Sequence, residues 1–142
     1  MSSYLNIYVQ PKIKDGEESK KMILMSVSRS HPLYQAIDES GSFYAYTSIG
    51  ENAEEHFYEL SSDLISSICQ DSNAEIQIAE KRLNEYEKYA AGNSEIIQDI
   101  ISTKEYLEEL KETYNQLYFI RQIVDDIENG FSDFEKVFIN IA

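Results

Sequence analysis

From Glu51 to Asn129 the chain contains no proline and one glycine, Gly92. Without breakers, a stretch of this length cannot be divided into the many short strands of a sandwich or barrel, and apolar spacing decides what it becomes. Ala53, Phe57, Leu60, Leu64 and Ile68 recur every three or four residues, and Ile76, Ala79, Leu83, Tyr86 and Ala90 carry the stripe on towards Gly92. Ser48-Ile49-Gly50-Glu51 has capping-box spacing, so the first long helix is predicted to start at Ser48. Ser72-Asn73-Ala74-Glu75 repeats that spacing, either as a second cap or inside one continuous helix bent near Gln70–Asn73; the missing Gly and Pro favour the continuous helix. Beyond Gly92, Asn93 or Ser94 caps a run that ends at Asn129-Gly130. Its stripe is Ile96, Ile100, Thr103, Leu107, Leu110, Tyr114, Leu117 and Val124, shifted by Ile120 and Ile127 around Arg121.

The two ends of the chain alternate instead. Leu5, Ile7 and Val9 fall on one face of Tyr4–Gln10, and Ile23, Met25 and Val27 on one face of Met22–Ser28. These are predicted strands, joined across Pro11–Lys21 as a long hairpin. Pro32 fits the first turn of a short helix, Pro32–Glu39, capped by Ser30 or His31. Phe43–Thr47 is a candidate third strand. Phe134–Ile141, with Val137, Ile139 and Ile141 on one side and Phe138 and Asn140 on the other, is apolar enough to lie beside the N-terminal hairpin. The expected fold is α+β: a small, mostly antiparallel sheet from both chain ends and a long antiparallel helical hairpin between them. One domain spans 1–142, divided as 1–47, 48–130 and 131–142.

The 142 residues carry 26 acids against 12 bases, a net charge of −14, with 42% hydrophobic residues. That hydrophobic fraction is enough for a folded core. The charge is unevenly spread: residues 30–80 hold ten acids and no lysine or arginine, whereas residues 1–29 are net positive. Such a field disfavours direct binding to nucleic acid and to anionic lipid. One cysteine, Cys69, excludes an internal disulfide and suits a reducing compartment. With no apolar run near the ~20 residues of a membrane span and no signal-peptide pattern at the N-terminus, a cytoplasmic protein is expected.

No phosphate-binding glycine loop, nucleophile elbow or Cys-x-x-Cys pair is present, so no enzyme chemistry and no cofactor are expected. His56 has no second histidine one turn away, so no metal is expected. The sharpest pattern is Glu51, Glu55, Glu59 and Asp63 at four-residue spacing with Glu54 alongside. On a helix these carboxylates would lie about 6 Å apart, close to the spacing of phosphates along a nucleic-acid strand. Tyr58 would be an aromatic anchor among them. The expected function is a non-enzymatic, acidic protein-interaction module that occupies the basic, nucleic-acid-binding surface of a protein partner. In general character such a chain resembles small acidic phage-encoded inhibitors, although no motif carries the resemblance. Apolar residues outside the main stripe (Ile97, Ile101, Tyr118, Ile123) point to self-association, with a dimer favoured. The alternative is a small-ligand or nucleotide-binding protein, with Ser28, Arg29, Ser30 and His31 gathered at a helix N-terminus near a subunit interface.

Overall fold

Seven elements arise from these patterns in a computed structural model that describes residues 4–12, 21–40, 58–90 and 92–141. Strand β1 (Tyr4–Pro11) buries Leu5, Ile7 and Val9 and pairs antiparallel with β2 (Met22–Ser28). The pairing steps from Ile7↔Met25 to Tyr8↔Ile23, which leaves Leu24 as an extra residue on β2. A bulge of this kind reverses the side-chain phase. Val27 therefore faces the core while Ile23, expected on the same face, turns to the other side and is 59% exposed.

Helix α1 (Pro32–Ser40) opens with proline at its first position. The His31 ring nitrogen Nδ1 caps it by accepting the Leu33 N–H at 3.1 Å. Leu33, Tyr34 and Ile37 are its buried side. Replacing His31 with Ala is expected to cost about 1 kcal/mol of unfolding free energy, the usual worth of an N-cap, and His31→Asn to restore most of it. Chemical denaturation of the two variants checks this.

A correction follows at Tyr58. Residues Tyr58–Glu59 form a short strand, β3, paired with Ile139 and Phe138 of β4 (Phe134–Ile141). The Leu60 N–H extends the ladder by bonding to Val137 O at 2.9 Å. The long helix α2 therefore starts at Ser62, not at Ser48; it runs Ser62–Lys88, with Ser61 Oγ accepting the Leu64 N–H at 3.2 Å. Pairing to a strand distant in sequence overrides the 3–4 spacing that Leu60 continued. The candidate strand at Phe43–Thr47 and the Ser48 cap lie outside the described residues. Further along, α2 is continuous through Ser72–Glu75, so no second cap forms there.

Helix α3 (Ser94–Glu128) is capped by Asn93, whose Oδ1 accepts the Glu95 and Ile96 N–H groups. It ends in a Schellman turn: Gly130, at φ +76°, bonds to Ile127 O and the Phe131 N–H to Asp126 O. At 1.5 Å per residue its 35 residues span about 50 Å.

The antiparallel sheet has the order β2-β1-β4-β3, so the last strand lies inside it against the first. Its inner face (Leu5, Ile7, Val9, Val27, Val137, Ile139) meets Leu64, Ile65, Ile68 and Cys69 of α2 and Leu117, Ile120 and Val124 of α3 in one core. A second, smaller cluster (Ile76, Ala79, Leu107, Leu110) holds the hairpin together farther out. On the other sheet face Ser26 Oγ donates to Asn6 Oδ1 at 2.7 Å and Asn6 Nδ2 to Asn140 Oδ1 at 3.4 Å, a polar rung across three strands. The chain is thus α+β with a helical hairpin, as the periodicities predict. Among the described residues no helix is long and apolar enough to cross a membrane.

Candidate functional site

Of the expected carboxylate strip, Glu59 and Asp63 do not share a helical face. Tyr58 and Glu59 belong to β3 and Asp63 to the first turn of α2, with the Ser61 cap between them. Tyr58 is half-buried and packs against the main core. Glu59 Oε2 lies 4.0 Å from Lys136 Nζ of β4. Asp63 sits in the first turn of α2, where the helix dipole favours an acid. Glu51, Glu54, Glu55 and His56 lie outside the described residues.

A different strip is visible on α3. Glu105, Glu108, Glu109 and Glu112 occupy about two turns and are all exposed. The two lysines interleaved with them turn the other way: Lys104 reaches Glu87 of α2 at 4.0 Å, and Lys111 reaches Glu80 at 3.7 Å. No described base lies within ion-pair distance of the four glutamates. Each like-charge pair one turn apart costs about 0.2–0.5 kcal/mol, so this strip opposes helix stability with no local relief. Its spacing was readable in the sequence, but Lys104 and Lys111 disguised it. Only the register between α2 and α3 reveals that both lysines are committed across the hairpin.

Glu109 also borders a groove of about 410 Å³ where α1 crosses the helical hairpin. The floor is Ile68, Ser72, Leu110 and Thr113, all buried. The rim carries three carboxylates, Asp71 and Glu75 from α2 and Glu109 from α3, together with Tyr106 and Gln35. Among the described residues no lysine, arginine or histidine lines it. Thr113 Oγ1 is satisfied by the Glu109 carbonyl at 3.0 Å. Sequence reasoning missed this site because it combines residues from three elements. Asp71 and Glu75 on their own read as cap or bend residues.

The alternative ligand site divides its residues among local tasks. Ser28 and Ser30 hydroxyls are 3.2 Å apart, the His31 N–H bonds to Ser28 O, and the His31 ring is the helix cap. Arg29 and Ser30 edge a shallow hollow of about 420 Å³ that also contains Tyr34 and Asp38. The carboxylate opposes anion binding there, so the hollow lacks the uniform positive character that a nucleotide phosphate needs. Cys69 is buried in the main core. Burial pushes its thiol pKa up, the Arg121 guanidinium pulls it down, and Asp125 raises it again, so the sulfur is a poor nucleophile. Among the described residues no three His, Cys, Asp or Glu side chains gather closely enough to hold a metal ion.

No protein-family profile, no curated protein and no solved structure matches this chain.

Proposed function

We propose that the chain is an acidic protein-interaction module that lays its helical hairpin against a basic, nucleic-acid-binding surface of a partner and so blocks it, in the manner of a phage-type inhibitor. The observation that supports this most is the Glu105/Glu108/Glu109/Glu112 strip, left without cations by the commitment of Lys104 and Lys111 to α2. The strip adds a second candidate contact surface to the residues expected from sequence, of which Glu51, Glu54 and Glu55 lie outside the described residues. Charge along the rest of the hairpin acts in the same sense, because residues 62–128 carry fifteen acids and six bases. Such a field speeds association with a basic partner and sets the register of the complex. Exposed Ile78, Tyr89, Ile97 and Ile101 in the outer half of the hairpin support pairing between two copies.

The test is a triple reversal, Glu105→Lys, Glu108→Lys and Glu112→Lys, assayed against the partner that co-purifies with the wild-type chain at low salt. The expected result is a loss of at least about a hundredfold in affinity with an unchanged helical circular dichroism spectrum. Wild-type binding should also weaken steeply as salt rises. Retained affinity in the folded triple variant overturns the reading.

A further inference from the structure

We propose that the outer edge of β2 receives an extended segment of a protein partner, uncharged in its middle and acidic at both ends, as a fifth strand of the sheet. β2 stands first in the order β2-β1-β4-β3. Alternate residues of such an edge strand turn their N–H and C=O groups away from the sheet. Outside its pairing with β1, the Met22–Ser28 backbone makes one hydrogen bond to a described residue, from the His31 N–H to Ser28 O at 2.9 Å. Edges are normally blunted by charge, by proline or by shortness. The opposite edge, β3, is two residues long, and its Glu59 lies beside Lys136. β2 has seven residues with neither a charge nor a proline among them, and the bulge at Leu24 is its one irregularity.

A strand added there gains ladder hydrogen bonds from the backbone and contacts from the side chains beside it. Met22 pairs with Val9 and Ile23 with Tyr8, so the two turn to opposite sheet faces, where they are 53% and 59% exposed. Charge selects the occupant. Lys21 and Arg29, both exposed, bracket the strand, and residues 1–29 are net positive in a chain of charge −14. A second copy paired antiparallel along the whole of β2 sets Met22 against Ser28 and is centred on Met25. That register brings Lys21 opposite Arg29 at both ends, and the two copies also repel through their net charges. A foreign segment with carboxylates eight positions apart meets both cations whichever way it runs. Asp38 borders the hollow beside Arg29 and disfavours a phosphate inside it; a carboxylate at the strand's end stays outside that hollow and pairs with the guanidinium one to one.

The probe is a labelled peptide of alternating threonine and valine with a glutamate at each end, matched to β2 in length. Fluorescence polarisation with the full chain is expected to show saturable one-to-one binding. Methylating one alternate set of the peptide's amide nitrogens should abolish binding, and methylating the other set should leave it unchanged, because an added strand bonds along one side only. Arg29→Glu should weaken binding at least about tenfold and strengthen that of a lysine-ended peptide. Hydrogen exchange should slow along Met22–Ser28 and stay unchanged along α3. The Glu105/Glu108/Glu112 triple reversal leaves this edge in place and should bind the peptide as the wild type does, whatever becomes of the partner held by the helical hairpin. Absence of saturable binding, equal affinity for glutamate- and lysine-ended peptides, or equal effects of the two methylated sets overturns the proposal. So does a wild-type dimer that the peptide dissociates in sedimentation equilibrium, which assigns the edge to a second copy.

Discussion

A chain ending at Ser132 is expected not to fold cooperatively. Terminal segments are often dispensable, because few contacts hold them. Here the terminal strand β4 lies between β1 and β3 and is hydrogen-bonded on both sides. Its deletion removes Val137, Phe138 and Ile139, all buried, from the protein. At about 1.5–3 kcal/mol for each buried side chain, the loss is comparable to the 5–15 kcal/mol total stability of an ordinary domain. It also leaves β3 without the strand that positions it and uncovers one edge of β1. Residual helix should persist, since Ile76, Ala79, Leu107 and Leu110 form a cluster of their own away from the sheet. Thermal circular dichroism distinguishes the outcomes: a broad, non-cooperative loss of helicity is expected. A sharp transition near that of the full chain would show that the sheet does not depend on its last strand.

Leu117→Ala is expected to be the most damaging single truncation on α3. Leu117 is fully buried where α3 faces both α2 and the sheet, and neighbouring Tyr114 belongs to the edge of both apolar clusters. Removing its isobutyl group leaves a cavity that rigid neighbours on three sides cannot close. A loss of about 3–5 kcal/mol follows, against under about 0.5 kcal/mol for the exposed Ile97→Ala on the same helix. In a domain of this size the first value lowers the melting temperature by roughly 10 °C or more. Urea denaturation of the two variants gives the comparison, and similar midpoints for both would refute the placement of the core.

The elements legible in the sequence are those whose signals are local. Asn93 and the Asn129-Gly130 pair bracket α3 because capping is settled within a turn of the helix end. Leu5, Ile7 and Val9 announce β1 because one sheet face is buried along its whole length. The misreading at Tyr58–Leu60 has the opposite origin. A two-residue strand has too little length to show alternation, and it exists because β4, some eighty residues later, offers an edge. The bulge opposite Ile7 and Tyr8 was hidden likewise, since Met22–Ser28 alternates without interruption and only its partner's register exposes Leu24 as the extra residue. For the candidate sites the same distinction holds. Glutamate spacing on α3 can be counted in the sequence, but whether a lysine neutralises it depends on which way Lys104 and Lys111 lean. The groove needs α1, α2 and α3 in place before Asp71, Glu75 and Glu109 share one opening.

The sheet order has a consequence for the order in which the chain is made. Leu5 pairs with Ile141, 136 residues later. A ribosome adding about 5–20 residues each second leaves β1 waiting roughly 7–27 seconds for its central neighbour. Throughout that interval the first hairpin presents Leu5, Ile7 and Val9 with neither β4 beside them nor the helical hairpin above them. A nascent chain in that condition is a substrate for holdase chaperones, and two on one polysome are candidates for strand exchange. Soluble yield should therefore respond to chaperone supply and translation speed more than the stability of the finished fold suggests.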